Sequence, residues 1–217
     1  MITIIIPTRN RAYTLKKVGE SYYQQKHVNE IIFVDDSGDD NTKEVIDDIS
    51  KNYPKIITKY IRHEKRKGAS AGRITGYTNA SNDYILFGED DAYLEKNYTD
   101  LLLNKIVLDN TIGLVSGRII YKLFNERNEE SEKRFGFGIE KKEAFDKYHF
   151  GNNINAYFES DIELPMTHAL FLTKKSLLEK FGYDPFYSKG NGYREESDFQ
   201  INAFVNGYKI VCTNDTH

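Results

Sequence analysis

The chain has 217 residues, of which 39% are hydrophobic, and this size and composition fit one globular domain with a substantial core. Its 30 basic and 33 acidic residues give a net charge of -3, which excludes a global field that would attract nucleic acid or an anionic membrane surface. No apolar stretch approaches the roughly 20 residues of a membrane span. The single cysteine, Cys212, excludes an intrachain disulfide and is typical of a reducing compartment.

We therefore expect one soluble domain in the cytoplasm, with no nucleic-acid partner. The apolar run after Met1 is too short for a signal peptide. Peripheral association with the inner face of a membrane stays open, and so does the oligomeric state. The sequence also leaves open whether the native chain continues beyond His217.

In the first half of the chain, short β-branched segments alternate with segments of helical length. The predicted strands cover residues 3–6, 30–34, 55–61 and 83–87, and the predicted helices cover residues 12–25, 42–52 and 70–80. Thr42 is expected to cap the second helix. The order β-α-β-α-β-α-β favours right-handed crossovers between parallel strands. We predict an α/β fold in three layers, with a central, mainly parallel sheet flanked by helices.

The second half is less regular. Strands are predicted at residues 112–121, 168–173 and 208–212, and helices at residues 174–181 and 197–207. Gly207 is expected to end the last helix as its C-cap. Residues 122–151 are charged and interrupted by glycines. Because neither half contains a low-complexity linker, residues 1–217 are expected to form a single domain.

Polar residues follow each of the first four predicted strands. The segments are PTRNR (residues 7–11), DDSGDDN (35–41), HEKRKG (63–68) and GEDD (88–91). Each one alone is typical of a turn or a solvated loop. In an open α/β sheet, however, the carboxyl ends of the strands meet at one edge, and ligands bind there. Together the four segments predict a ligand site at that edge.

The last of these segments contains three consecutive carboxylates, Glu89, Asp90 and Asp91, which repel one another. Hard divalent cations such as Mg²⁺ or Mn²⁺ prefer carboxylate oxygens and fill their other positions with phosphate and water. Without a cation, a carboxylate about 4 Å from a phosphate would cost roughly 4 kcal/mol at an effective dielectric near 20. A metal that bridges Asp91 and a diphosphate would convert that repulsion into coordination.

Four segments of the chain resemble family 2 glycosyltransferases, which have the GT-A fold. They are IIIPTRNR (residues 4–11), IIFVDDSGDDNT (31–42), KGASAGRITGYTNASNDYILFGEDD (67–91) and GNGYREESDFQINAFVNGYKI (190–210). The resemblance covers nearly the whole chain. It implies a GT-A catalytic domain in which about residues 1–110 bind the nucleotide-diphosphate sugar and about residues 111–217 bind the acceptor.

The resemblance also implies roles for individual residues on the donor side. Those expected to contact the nucleotide sugar are Pro7, Thr8, Arg9, Asp35, Asp36, Arg73 and Asp90, with Asp36 hydrogen-bonded to the base. The triplet 89–91 is similar to the family's Asp-x-Asp motif, although Glu89 replaces the first Asp. By the same resemblance, the Mn²⁺ or Mg²⁺ site consists of Asp91, Glu89 and His217. Gly72-Arg73-Ile74 departs from the family's Ala-Arg-Asn, so any contact made by that Asn is absent.

The family's catalytic Glu-Asp pair is matched by Glu195-Glu196, which keeps the acid and lengthens its reach. The resemblance implies an inverting, metal-dependent hexosyltransferase in which Glu196 takes the proton of the acceptor hydroxyl. The acceptor is expected to be a glycan or a lipid-linked molecule. Acidic residues in a first helical turn also stabilise the macrodipole, and this ordinary interpretation suits Glu195 or Asp198.

Two other functions stay open at this point. A sugar-phosphate nucleotidyltransferase would also combine an α/β fold with a carboxylate-bound metal, but PTRNRAYTL after the first strand lacks the glycine-rich loop that such enzymes use. A catalytically silent nucleotide-sugar binding module would share the donor residues without the chemistry. Turnover on a panel of acceptors separates this module from an enzyme.

Overall fold

The computed structural model describes residues 1–123, 126–127, 129–131, 133, 145–149, 151–153, 155, 158–188 and 194–217. The beginning of the last family-like segment, residues 190–193, lies outside the described residues, as does part of the charged stretch 122–151. Among the residues described, no helix has the length and apolar character needed to cross a bilayer.

Ten strands form the sheets of the described structure. They are β1 (Ile2–Thr8), β2 (Val28–Asp35), β3 (Ile57–Arg62), β4 (Tyr84–Phe87), β5 (Ile112–Ser116), β6 (Phe145–Asp146), β7 (Gly151–Asn152), β8 (Ile162–Glu163), β9 (Phe171–Lys174) and β10 (Lys209–Cys212). Eight of them form one sheet in the order β3-β2-β1-β4-β9-β5-β10-β8, and β6 pairs with β7. The four strands predicted in the first half are therefore confirmed.

Helices cover both faces of the large sheet. They are α1 (Ala12–Val18), α2 (Glu20–Tyr23), α3 (Thr42–Ser50), α4 (Ala69–Thr78), α5 (Tyr98–Leu108), α6 (Lys175–Phe181) and α7 (Glu195–Val205), with a 3₁₀ turn at Pro185–Ser188. One core cluster joins the sheet to α1, α2, α3 and α5. A second cluster joins the opposite face to α4, α6 and α7. The predicted three-layer α/β architecture is confirmed.

The direction of β9 decides which loops meet at the carboxyl edge of the sheet. β1 pairs in parallel with β2 and β4, and β10 pairs in parallel with β5. β9 lies between β4 and β5 and is antiparallel to both. In this register Phe171, the first residue of β9, pairs with Phe87, the last residue of β4. The residues that precede β9 therefore lie at the same edge as the acidic triplet.

The structure corrects several predicted boundaries, and the C-cap of α7 is Asn206, with Gly207 one residue beyond it. The helix predicted at 12–25 is divided at Gly19 into α1 and α2. Thr42 is not an N-cap: Asn41 has that position, and both the N–H and the hydroxyl of Thr42 donate to Asp40. The strand predicted at 112–121 ends at Ser116.

The early end of β5 has a clear cause in the bonds of Gly117. Its N–H donates to Tyr98 Oη at 3.0 Å, and its carbonyl accepts from His168 Nε2 at 3.0 Å. His168 Nδ1 accepts the Leu170 N–H at 3.0 Å, so the proton of this ring is on Nε2. Burial lowers the pKa of His168 to about 4, which keeps the imidazole neutral. Because the backbone groups of Gly117 are hydrogen-bonded to side chains, they cannot pair with a neighbouring strand, and β5 ends at Ser116.

Helix α4 lies close against β1 because of Gly76. A Cβ added to Gly76 would lie 2.2 Å from Ile5 Cγ2, so only glycine permits this approach. The N-terminal half of α4 consequently reaches the carboxyl edge of the sheet, where it carries Arg73.

At the other edge of the sheet, the buried carboxylate of Glu30 ties three strands together. It accepts from Thr3 Oγ1 at 2.5 Å, from the N–H of Ser81 at 2.8 Å and from Ser81 Oγ at 2.9 Å, and Lys59 Nζ lies 2.6 Å away. Burial raises the pKa of Glu30, but the bonds from Lys59, Ser81 and Thr3 outweigh this effect and lower it below its usual value.

Glu30→Gln should lower the free energy of unfolding by about 1.5 to 3 kcal/mol, because charge-assisted hydrogen bonds become neutral ones. Since the folded pKa is depressed, this stabilisation is present at neutral pH and is lost as pH falls through the folded pKa. Urea unfolding at pH 7 and at acidic pH measures both effects. Asp48→Asn, which removes an exposed charge paired with Lys51, is the control and should change little. Equal urea midpoints for Glu30→Gln and wild type at pH 7 would contradict the assignment.

Candidate active site

Two adjoining cavities open at the carboxyl edge of the sheet. One, of about 740 Å³, is lined by residues that include Arg73, Glu89, Glu195 and Glu196. The other, of about 890 Å³, is lined by residues that include Asp91 and His217. Glu89 lines both. Glu89 and the glutamate pair thus line one cavity, and Asp91 lines its neighbour.

The backbone of the triplet is held by Tyr22, a fully buried residue of α2. Tyr22 Oη donates to the carbonyl of Glu89 at 2.8 Å and accepts the Glu89 N–H at 3.1 Å. A Cβ added to Gly88 would lie 2.7 Å from Tyr22 Cε1, so glycine is required where the ring passes. Sequence analysis missed Tyr22, and the only available signal was a glycine between a strand and three carboxylates.

The three carboxylates of the triplet have different surroundings. Burial raises the pKa of Glu89, and Arg73 opposes this shift while Asp91 adds to it. Burial also raises the pKa of Asp90. Hydrogen bonds from the Thr8 hydroxyl and the Arg9 backbone oppose this rise. Asp91 lies at the surface with 48% of its side chain exposed, and its Oδ2 is 2.6 Å from Nη1 of Arg11. Asp91 is therefore the member of the triplet most open to a ligand from solvent.

Asp36 anchors the loop that leads into α4. Its carboxylate accepts from the N–H groups of Lys67 at 2.7 Å and Gly68 at 2.8 Å, and from His63 Nδ1 at 2.9 Å. Burial raises the pKa of Asp36, but the bonds from His63, Lys67 and Gly68 outweigh it and lower it below its usual value. A carboxylate has about four acceptor positions, so a bond from a nucleotide base would use the remaining one.

The other residues predicted on the donor side lie beside Asp36 at the ends of β1 and β2. Asp35 is buried and accepts from the N–H of Gly38 at 2.7 Å and from Tyr60 Oη at 2.5 Å. Thr8 is buried, Arg9 is exposed, and Pro7 packs against Gly72 of α4. Thr8 pairs with Asp35 across β1 and β2, and the Asp36 N–H donates to the Thr8 carbonyl at 2.9 Å, so these residues are neighbours, although they are not among the residues that line the two cavities.

Arg73 is buried on the side of the cavity formed by α7. Its Nε lies 3.3 Å from Glu195 Oε1, and its Nη1 donates to the carbonyl of Ala169 at 3.4 Å. Its Nη2 is 4.0 Å from Glu89 Oε1, and its guanidinium carbon lies 5.2 Å from the centre of the Phe87 ring. The structure therefore places Arg73 with the glutamate pair, and its contact with the nucleotide sugar stays a prediction.

The glutamate pair begins α7, as expected for acidic residues in a first helical turn. Glu195 is only 5% exposed, and burial raises its pKa to about 7; Arg73 opposes this shift, and the charge of Glu196 adds to it. Glu196 is partly exposed and lines the cavity. Of the two, Glu196 is the one positioned to meet a ligand, while Glu195 is held by Arg73.

His217 is fixed to the start of α5 by Glu95. Oε2 of Glu95 accepts from the N–H of His217 at 2.9 Å and from Thr216 Oγ1 at 2.9 Å, and it lies 3.2 Å from His217 Nδ1. Glu95 was not identified from the sequence. This arrangement holds the imidazole in the wall of the cavity that Asp91 also lines.

The three predicted metal ligands are Asp91, Glu89 and His217. Within the described parts of the chain, no group of three or more His, Cys, Asp or Glu side chains is arranged to hold a metal ion. Mg²⁺ and Mn²⁺ sites in enzymes commonly use one or two protein carboxylates and complete their coordination with substrate phosphates and water. A half-exposed Asp91 and an imidazole on the same cavity fit such a site, in which a diphosphate supplies the remaining oxygens. Glu89 instead lies toward Arg73.

Known proteins share both this fold and parts of this sequence. A relative from Campylobacter jejuni, GalNAc(5)-diNAcBac-PP-undecaprenol beta-1,3-glucosyltransferase, is 28% identical over 211 residues, which cover 94% of the chain and 63% of the relative. The solved structure of Staphylococcus aureus TarS 1–349 in complex with UDP superposes with a TM-score of 0.71 at 18% identity, covering 99% of this chain and 58% of that one.

A mannosyltransferase from Pyrobaculum calidifontis, PcManGT, solved in complex with GDP-Man and Mn²⁺, gives a TM-score of 0.70 at 17% identity. The superposition covers 99% of this chain and 55% of the PcManGT chain. At such identities the two structures show the fold alone, which is GT-A. The chain spans between 55% and 63% of the lengths of these three proteins. The sequence profile of glycosyl transferase family 2 matches residues 3–181, and the chain therefore belongs to this family.

Proposed function

We propose that the chain transfers a sugar from a nucleotide-diphosphate donor to a hydroxyl of a glycan or lipid-linked acceptor, with inversion at the anomeric carbon. One observation carries this proposal: Glu89 of the triplet lines the same cavity as Glu195 and Glu196. Glu89 also lines the cavity of Asp91, so a carboxylate suited to a phosphate-bound cation and a carboxylate suited to proton transfer lie in two neighbouring cavities.

In the proposed reaction, the oxygen of the acceptor hydroxyl forms a bond to the anomeric carbon while Glu196 accepts the proton of that hydroxyl. The bond from that carbon to the nucleoside diphosphate breaks in the same displacement. Glu195 is a positioning residue, held by Arg73 beside Glu196. Asp91 and His217 would hold Mn²⁺ or Mg²⁺, which when bound supplies Lewis-acid stabilisation of the departing diphosphate.

In this proposal the donor binds along Pro7, Thr8, Arg9, Asp35 and Asp36, with Asp90 at the ribose. Support comes from the two GT-A structures, one solved with UDP and the other with GDP-Man. A lipid-linked acceptor is supported by the Campylobacter relative, whose name includes undecaprenol. Such an acceptor, together with the single cysteine, supports a location in the cytoplasm or at the inner face of the membrane.

Asp91→Ala should remove most of the Mn²⁺-dependent gain in nucleotide affinity, because this change deletes the carboxylate assigned to the metal. Titration calorimetry with UDP and with GDP, each with and without Mn²⁺, measures that gain. Asp83→Ala is a matched control, since it removes an exposed charge next to the opposite end of β4. Equal Mn²⁺ enhancement in wild type and Asp91→Ala would show that the metal is held elsewhere.

Glu196→Gln should lower the transfer rate by about 10² to 10⁴, because the amide cannot accept the proton of the acceptor hydroxyl. Nucleotide and Mn²⁺ affinities should stay within about twofold of wild type if the group acts only on the acceptor. Transfer rates on a glycan and lipid-linked acceptor panel, beside donor affinity, measure both. If Glu195→Gln is inactive while Glu196→Gln still transfers sugar, the base is Glu195. Nucleotide binding without turnover by wild type on every acceptor would favour the silent module.

The raised pKa of Glu195 gives a separate test that needs no acceptor. Because the folded pKa, about 7, lies above the ordinary carboxyl value, folding favours the protonated form, and stability falls as pH rises from about 4.5 to 7. Glu195→Gln mimics the protonated form, so its stability relative to wild type should be higher at pH 8 than at pH 5, because only the wild-type carboxyl ionises over this range. Urea unfolding at both pH values measures this relative stability, and a value that is the same at pH 5 and pH 8 would contradict the prediction.

A further inference from the structure

Arg11 occupies the carboxylate that the proposed function assigns to the metal. Its Nη1 lies 2.6 Å from Asp91 Oδ2, and 44% of the Arg11 side chain is exposed. The two residues are 80 positions apart in the chain, so the fold and not local sequence creates the pair. Arg11 has no role in the reaction as described so far.

We propose that Arg11 is a positioning residue that competes with the divalent cation for Asp91 and, once displaced, binds the diphosphate of the donor. This inference rests on the proposed function of Asp91. It predicts that Arg11 weakens the binding of the metal alone and strengthens the binding of metal and nucleotide together.

The pair is weak enough to be displaced. Both partners are about half exposed, and an exposed ion pair favours the paired state by only about two- to fivefold. A cation that arrives with a diphosphate brings several new bonds and readily exceeds this preference. A cation that arrives without a diphosphate must displace Arg11 from Asp91 while it forms fewer new bonds.

The released guanidinium would lie beside the newly bound anion. Arg11 is one hydrogen bond away from the carboxylate that the metal would take, so a diphosphate on the same metal lies within its reach. A guanidinium pairs well with phosphate because it presents two parallel N–H donors. The released side chain stays cationic because a guanidinium is always charged at neutral pH.

Local structure permits this exchange without disturbing the fold. Arg11 is the residue before α1, and its carbonyl accepts from the N–H groups of Thr14 and Leu15 at 3.0 Å. These bonds involve only the backbone, so the start of α1 stays in place when the side chain moves or is truncated. Loss of the side chain therefore reports on ligand binding and not on folding.

Arg11→Ala should change the two affinities in opposite directions. Mn²⁺ alone, titrated against the nucleotide-free chain with paramagnetic resonance of free Mn²⁺, should bind about two- to fivefold more tightly. UDP or GDP in saturating Mn²⁺, titrated by calorimetry, should bind about tenfold or more weakly, since a charge-assisted bond to phosphate is lost. Coupling between two ligands is reciprocal, so the enhancement of each by the other should fall by the same factor.

Two control variants separate Arg11 from a general effect of charge. Lys51→Ala removes one positive charge from an exposed pair with Asp48, whose atoms are 2.8 Å apart, and should leave both affinities unchanged. Arg11→Lys keeps the charge without the planar fork and should retain part of the coupling. Melting temperatures of all variants verify that they are folded.

The Asp91→Ala variant distinguishes failure of this inference from failure of the proposed metal site. If Asp91→Ala abolishes Mn²⁺ binding while Arg11→Ala leaves the affinity for Mn²⁺ alone unchanged or weaker, the metal site stands and the role of Arg11 is wrong. If neither wild type nor Arg11→Ala binds Mn²⁺ with or without nucleotide, both are wrong. Both are supported if Arg11→Ala binds Mn²⁺ more tightly than wild type does and the double variant Arg11→Ala, Asp91→Ala does not bind it.

Discussion

The buried guanidinium of Arg73 joins the two halves of the chain at the active site. Arg73 belongs to α4, and its ion-pair partner Glu195, 122 residues later, begins α7. Burial lowers the pKa of Arg73, but Tyr183, Glu195 and Glu89 outweigh this effect and raise it, so the cation persists. A buried charge is costly without a partner, which fixes Glu195 against α4. The position of Glu196, one residue further on, follows from this pair.

The carboxylates at the carboxyl edge fall into two groups with different surroundings. Asp35 and Asp36 are buried, and neighbouring N–H, hydroxyl or imidazole groups fill most of their acceptor positions. Their bonds shape the loops after β2 and β3. Asp91 and Glu196 instead lie at the surface of the cavities, where a partner can be exchanged for a ligand. One edge of the sheet therefore combines loops held by buried carboxylates with carboxylates that line the cavities.

Much of the fold could be predicted because its signals are local. Apolar runs of strand length, helical segments and polar residues at strand ends are properties of short segments, and they indicated the order of elements in the first half. The antiparallel position of β9 and the end of β5 at Ser116 were not predicted. Both depend on contacts between distant segments, such as the bonds of Gly117 with Tyr98 and His168.

By itself, the sequence determined the α/β class, the family and the presence of carboxylates after β4 and at the start of α7. Only the tertiary structure decided which of these carboxylates are buried and which basic side chain pairs with each one. The pairs Arg11–Asp91 and Arg73–Glu195 join residues 80 and 122 positions apart, and the contact of Glu95 with His217 spans 122 positions. Ionic and hydrogen-bond partners depend on distances of a few ångströms, which no spacing along the chain specifies.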